Sequence, residues 1–160
     1  LALFTPLQRR LYRHKSVFTG TEIYNYILNL FENRLARHNV KLIAELRFKK
    51  LKIDSYISSI LPVFVNLTDN AIYWTKKSPE PRIIWFDADD DNLLVSNNGE
   101  EILSSRHESI FEIGITYKSN GRGLGLAISR EALAKINYTI QVDEIPQAKA
   151  NVTFRISPNK

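Results

Sequence analysis

Glycines at alternate positions, Gly121, Gly123 and Gly125, lead directly into an apolar helical pattern over Leu124 to Ile136, and no other feature narrows the fold of this chain as much. Glycines so spaced let bare backbone amides approach an anion closely, and the helix that follows aims its positive dipole end at the same point. Phosphate oxygens suit such a turn. Alone the pattern is weak, because glycine-rich turns also serve close packing. It gains weight from a stretch upstream, VNLTDNAIYWT from Val65 to Thr75, in which Asn66 and Asn70 stand four residues apart. On a helix that spacing places both amides on one face, about a turn apart. Magnesium prefers oxygen ligands and bridges phosphates, and a neutral amide supplies oxygen without repelling them, which makes Asn70 the first candidate for a metal ligand. The same amides could instead only hydrogen-bond nearby backbone.

The whole chain sets wider bounds. Its 160 residues suit one domain able to bury a core unaided. With no cysteine and three scattered histidines, disulfide frameworks and thiolate or zinc sites are excluded. No apolar run approaches the roughly 20 residues that span a bilayer, so this segment is expected to be soluble, without membrane contact, and cytoplasmic, alone or as the cytoplasmic part of a membrane receptor. A chain that opens on Leu1 and lacks methionine is expected to be a piece of something longer. The net charge of +5 is spread among acids rather than gathered in a stripe, so a solvated basic face is expected and no nucleic-acid partner.

Residues 1–16, with the basic PLQRRLYRHK, read as a leading helix or linker, and 17–160 as the domain. Apolar residues at helical spacing predict a helix from Thr19 to Ala36, with Thr19 or Thr21 as its cap. Asn39 to Phe48 alternates like a strand. Ser55 to Thr75 is a long helical pattern in which Pro62 marks a kink or the first turn. Arg82 to Phe86 and Leu93 to Ser96 flank the turn cluster DADDDN and predict an antiparallel hairpin. Tyr138 to Asp143 and Val152 to Ile156 predict a second pair around Pro146. Helices followed by hairpins imply an α+β two-layer sandwich, a mostly antiparallel sheet covered by helices on one face and open on the other.

Taken together, NLTDNAIYWT, LLVSNNGEEI and IFEIGITYKSNGRGLGLAI resemble the boxes of the GHKL, or Bergerat-fold, ATPase superfamily shared by sensor histidine kinases, type II topoisomerases and MutL-type repair proteins. The resemblance is to the histidine-kinase type and covers most of Thr19 to Ser157. It implies ATP and Mg2+, with the ion on Asn70 and aided by Asn66. It puts Tyr73 where kinases often carry a phosphate-binding Lys or Arg, leaving Lys76 or Lys77 to replace it from the next turn. Asn97 stands where the family's aspartate accepts from the adenine amino group, Gly99 is kept, and Glu101 replaces a glycine. Losing the aspartate charge costs that contact on the order of 1 kcal/mol. Phe111 implies the base of a lid, short between Gly99 and Gly121, that carries Thr116, Lys118 and Arg122. Lys118 and Arg122 would neutralise charge on the transferred phosphoryl group, and the amides of Gly121, Arg122, Gly123, Leu124 and Gly125 would wrap the phosphates. Thr153 implies support for the adenine pocket.

In the family's ATP hydrolases a glutamate stands where this chain has Asn66, and an amide has no useful basicity, which favours transfer to a protein acceptor over hydrolysis. Asp69, turned away from Asn70, is expected to pair with a base. His14, His38 and His107 are expected at the surface, so the phosphoacceptor histidine belongs upstream, in a dimerisation element whose tail the leading helix would be. Implied partners are that acceptor domain and a response-regulator-like protein. Two other readings stay open: an ATP-operated switch with little turnover, and a degenerate docking module.

Overall fold

The computed structural model describes residues 14–117 and 125–160. Strand β1 (Ser16–Thr19) runs into helix α1 (Gly20–Arg37) through a capping box. The Thr19 hydroxyl accepts from the Glu22 amide, and the Glu22 carboxylate accepts from the Thr19 amide, so two donors without helical partners are satisfied reciprocally. Ile23, Ile27, Phe31 and Leu35 line the buried face of α1 at the predicted spacing. Gly20 has a specific reason to be glycine, since a Cβ there would lie 1.8 Å from the Phe48 carbonyl oxygen.

The expected strand over 39–48 divides in two. Val40–Ala44 is β2, and Leu46–Lys50 coils into a five-residue helix, α2. The helix turns Phe48 inward, where its ring packs with Phe64 and Phe86 at centroid separations of 5.9 and 5.5 Å. All three rings are fully buried, each contributing on the order of 2–3 kcal/mol, and this cluster outweighs the local alternation. Strand β3 (Lys52–Ser55) pairs antiparallel with β1 in a two-stranded sheet that the sequence patterns did not predict.

Helix α3 (Ile57–Thr75) carries the asparagines. Pro62 falls in its second turn on an exposed position rather than in its first. Ile60, Val63, Phe64, Leu67, Ala71 and Ile72 are buried, while Asn66 and Tyr73 are half-exposed. Strands β4 (Arg82–Asp89) and β5 (Asn92–Asn97) form the predicted hairpin around Asp90, whose φ of 54° suits the tight turn. Helix α4 (Gly125–Ala134) and strands β6 (Tyr138–Val142) and β7 (Val152–Pro158) complete the fold. The large sheet has the order β2-β4-β5-β7-β6; only the β2–β4 pair is parallel.

The core lies between the helices and one sheet face, to which β4, β5 and β7 contribute alternate residues such as Phe86, Val95 and Phe154. The other face is less open than expected. Leu94, Ser96 and Thr153 are fully buried there, because the β6–β7 connection folds back so that the Gln147 amide donates to the Thr153 hydroxyl at 2.9 Å. Arg155 spans the same face, donating to Asp143 and to Asp89. Farther across it, Arg47 holds Asp87 with two hydrogen bonds. Burial acts to raise the Asp87 pKa, but the bonds from Arg47 and the Ala88 amide, with the Arg47 charge, win and hold the carboxyl below its ordinary value.

Candidate functional site

Helix α3, the end of β5 and the start of α4 meet around the asparagines. Asn70 is about nine-tenths buried, and no side-chain hydrogen bond ties its amide to another residue among those described. The enclosed polar atom without a partner among the described residues is the Thr68 hydroxyl, so the Asn70 amide, although the residue is mostly buried, still opens to solvent and can meet a ligand. Asn66, one turn earlier, is committed differently. Its Nδ2 donates to the Ser129 hydroxyl at 3.1 Å and to the Gly125 carbonyl at 3.3 Å, which leaves its carbonyl oxygen as the group available to a cation. Ser129 in turn donates to the Gly125 carbonyl at 2.8 Å, so the first turn of α4 is fastened to the asparagine helix. Asp69 points the other way and pairs with Arg34 of α1 at 2.7 Å, the structural role expected of it.

The turn after β5 packs against the last turn of α3. Asn97, almost fully buried, accepts the Gly99 amide on its side-chain oxygen at 2.9 Å. That oxygen has a second lone pair, so an external donor can still be met. A Cβ on Gly99 would lie 2.9 Å from the Trp74 carbonyl carbon and 3.0 Å from the Thr75 nitrogen, so only glycine allows the turn to touch α3. Asn151, just before β7, brackets the turn, with its amide nitrogen donating to the carbonyls of Asn98 and Gly99 and its backbone N–H donating to that of Asn97.

Thr153 is not part of this cluster. In the β5–β7 register Val152 is opposite Asn97 and Thr153 is opposite Ser96, so Thr153 projects from the sheet face away from Asn97. Its hydroxyl bonds on that far face to Ser96 at 2.7 Å and to the Gln147 amide at 2.9 Å. The role at the adenine pocket expected of Thr153 is therefore withdrawn.

Past Gly99 the chain makes two short 3-10 turns, Ser104–Arg106 and Ser109–Phe111. Phe111 is buried edge-on against Phe154 at 6.2 Å. Arg130 of α4 clasps this region, with its guanidinium 3.9 Å from the Phe111 centroid and hydrogen-bonded to Glu108 and to the Ile140 carbonyl. The hydrogen bond and charge of Arg130 hold the Glu108 carboxyl below its ordinary value. Thr116 is half-exposed beyond it. Lys118, Gly121, Arg122, Gly123 and Leu124, expected to cover the phosphates, lie outside the described residues, as do residues 1–13, expected as a leading helix or linker.

The structure thus brings Asn66, Gly125 and Ser129 together, and sets Asn97 and Gly99 against the end of the helix that carries Asn70 and Tyr73. Sequence reasoning missed Ser129, Arg130 and Asn151. Ser129, four residues after Gly125, carried a faint signal as a residue on the same helix face. Asn151 acts across more than fifty positions and carried none. Among the described residues no cluster of His, Asp and Glu is fit to hold a metal, so a divalent ion here would depend on amide oxygens. The donor set fits magnesium shared with phosphates better than an ion caged by protein alone.

Residues 57–160 match the family described as histidine kinase-, DNA gyrase B- and HSP90-like ATPase. Over 68 residues, 42% of the chain, the sequence is 37% identical to the C4-dicarboxylate transport sensor protein DctB of Rhizobium meliloti (strain 1021). That stretch is 10% of the DctB length. The catalytic domain of histidine kinase ThkA superposes with a TM-score of 0.73 at 26% identity, covering 92% of this chain and 96% of that one. The mycobacterial sensor histidine kinase MprB shares the fold, with a TM-score of 0.72 at 20% identity, covering 92% of this chain and 100% of its own. ThkA in complex with the response regulator TrrA shares it too, at 0.70 and 23% identity over 91% of this chain and 42% of that chain.

Proposed function

The chain belongs to the histidine kinase-, DNA gyrase B- and HSP90-like ATPase family, and from that premise we propose that it binds Mg-ATP and donates the γ-phosphoryl group to a histidine outside this segment. The observation that carries the reading is Asn70, a mostly buried residue whose amide opens to solvent with no side-chain hydrogen-bond partner among the described residues, on the helix whose final turn receives the Asn97–Gly99 turn.

In this reading Asn70 holds the magnesium ion, with the Asn66 carbonyl oxygen beside it. Asn97 accepts from the adenine, its buried oxygen held in place by the Gly99 amide. Asn66 also keeps the first turn of α4 against the asparagine helix, so the backbone amides at the helix start are fixed relative to the metal ligands. Gly121, Arg122, Gly123, Leu124 and Gly125 supply backbone donors to the phosphates, Thr116 flanks them, and Lys118 and Arg122 offset charge developing on the transferred group. When bound, Mg-ATP supplies an activated phosphoryl group and a metal that withdraws charge from it. Neither Asn66 nor Asn70 can serve as a base toward water, so the residues at hand favour transfer to a nucleophile brought by a partner. That partner is a histidine-bearing domain, and TrrA on the ThkA structure supports a response-regulator-like protein as the next recipient.

The test has two stages. Mg-ATP should raise the unfolding temperature of the domain, and ATP without magnesium should do so less. A longer protein that includes the preceding segment should then take label from γ-labelled ATP on histidine. Protection without labelling or phosphate release would select a nucleotide-operated switch instead, and absence of protection would select a docking module.

A further inference from the structure

Adenine presents an amino donor at its 6-position, and guanine presents a carbonyl acceptor there. A carboxylate facing that position offers lone pairs alone, so it receives the amino group and repels the carbonyl oxygen. An amide carries both kinds of group. Which half of it meets a ligand depends on what the protein has already fixed.

At Asn97 the fixing is done by backbone. The side-chain oxygen receives the Gly99 N–H at 2.9 Å, and a flipped amide would set its own N–H groups against that donor, so oxygen and nitrogen are assigned by the network. The turn that carries them is held on both sides. Asn98 donates to the Pro81 carbonyl at 2.7 Å and receives the Ile83 N–H at 2.9 Å, while the Asn151 backbone N–H donates to the Asn97 carbonyl at 2.8 Å.

The Asn97 Nδ2 has no hydrogen-bond partner among the described residues, although the residue is only 2% exposed. It is not sealed in, since the enclosed atom of that kind is the Thr68 hydroxyl. One oriented donor therefore opens out of an almost fully buried side chain, beside an oxygen with a lone pair to spare. Asn97 lies on the helix side of the sheet, in step with the core residues Leu93 and Val95, in the corner where Gly99 meets Trp74 and Thr75.

We propose that this donor makes the site a purine site rather than an adenine site, one that takes 6-oxopurine nucleoside triphosphates beside ATP. This rests on the nucleotide-binding reading above and departs from the selectivity that an aspartate at this place would impose. With ATP the Asn97 oxygen receives the amino group. With a 6-oxopurine the Nδ2 donates to the carbonyl oxygen, which makes Asn97 the residue that sets base preference.

Calorimetric titration of the wild-type domain and of Asn97→Asp with ATP, GTP and inosine triphosphate, each with magnesium, tests the proposal. Inosine carries the 6-carbonyl without the 2-amino group of guanine, so it isolates the contact in question. Wild type should bind ATP and inosine triphosphate within about tenfold of each other, the worth of one hydrogen bond, and GTP should follow inosine triphosphate. Asn97→Asp keeps an acceptor for the Gly99 N–H but has no donor, so it should weaken both 6-oxopurine nucleotides by about tenfold or more while ATP holds or tightens. A wild-type preference for ATP over inosine triphosphate well beyond tenfold would overturn the assignment while nucleotide binding stands, and that comparison needs no variant to fold. An Asn97→Asp protein with the wild-type ratio of the two would overturn it equally. Failure of the wild type to bind any of the three would overturn the nucleotide reading as well.

Discussion

Replacing Gly99 by alanine tests the junction between the sheet and the asparagine helix with one methyl group. The added carbon would lie 2.9 Å from the Trp74 carbonyl carbon, 3.0 Å from the Thr75 nitrogen and 3.0 Å from the Asn97 side-chain oxygen. Carbon atoms are comfortable at about 3.5 Å or more, so the neighbours must withdraw by about half an ångström. Two of the three are backbone atoms in the last turn of α3 and cannot rotate away. Overpacking of this kind costs about 1–3 kcal/mol. For a domain of this size each kcal/mol lowers the melting temperature by about 2–4 °C, so a fall of about 2–12 °C is expected by scanning fluorimetry. Because the Asn97 oxygen that receives the Gly99 amide is pushed as well, adenosine affinity should drop along with stability. An unchanged melting temperature with unchanged adenosine affinity would refute the close packing of the turn on α3.

Asn97→Asp should tighten ATP relative to GTP, since a carboxylate keeps the bond from the Gly99 amide and strengthens acceptance from an amino group; equal change for both nucleotides in titration would mean that the base is read elsewhere. Thr153→Val should lower stability by about 1–2 kcal/mol through loss of its bonds to Ser96 and the Gln147 amide, with ATP affinity unchanged, and a loss of affinity at equal folding would return Thr153 to the pocket. The Asp87 pKa is depressed in the folded state, so its contribution is present above the unfolded carboxyl value of about 3.9 and is lost as pH falls through the lower folded value. Asp87→Asn should therefore flatten the acid limb of melting temperature against pH below about 4, and an unaltered limb would remove Asp87 from that role.

The long, periodic elements were legible from the residues themselves. In α1 the cap Thr19 with Glu22 three residues on, and in β4 and β5 the acidic turn between alternating runs, state their structure locally. The small sheet of β1 and β3 was not legible, because four-residue strands that pair across more than thirty positions leave no periodic trace. Helix α2 is too short to show a helical period, and what decides it is distant: a place for Phe48 between Phe64 and Phe86. At the site, the asparagine spacing announced the shared face, but it did not reveal that the Asn66 amide nitrogen is spent on Gly125 and Ser129. Thr153 shows the limit of reading a strand without its register, since one step along β7 moves a side chain to the opposite face of the sheet.

Mg-ATP is proposed to bind between α3 and the start of α4, with its metal on Asn70 and its base at the Asn97–Gly99 turn. In a crystal structure of the domain with magnesium and a non-hydrolysable ATP analogue, the ion should sit on the Asn70 side-chain oxygen and the adenine amino group at Asn97. Nucleotide bound elsewhere, or an ion that does not touch Asn70, would overturn this binding mode.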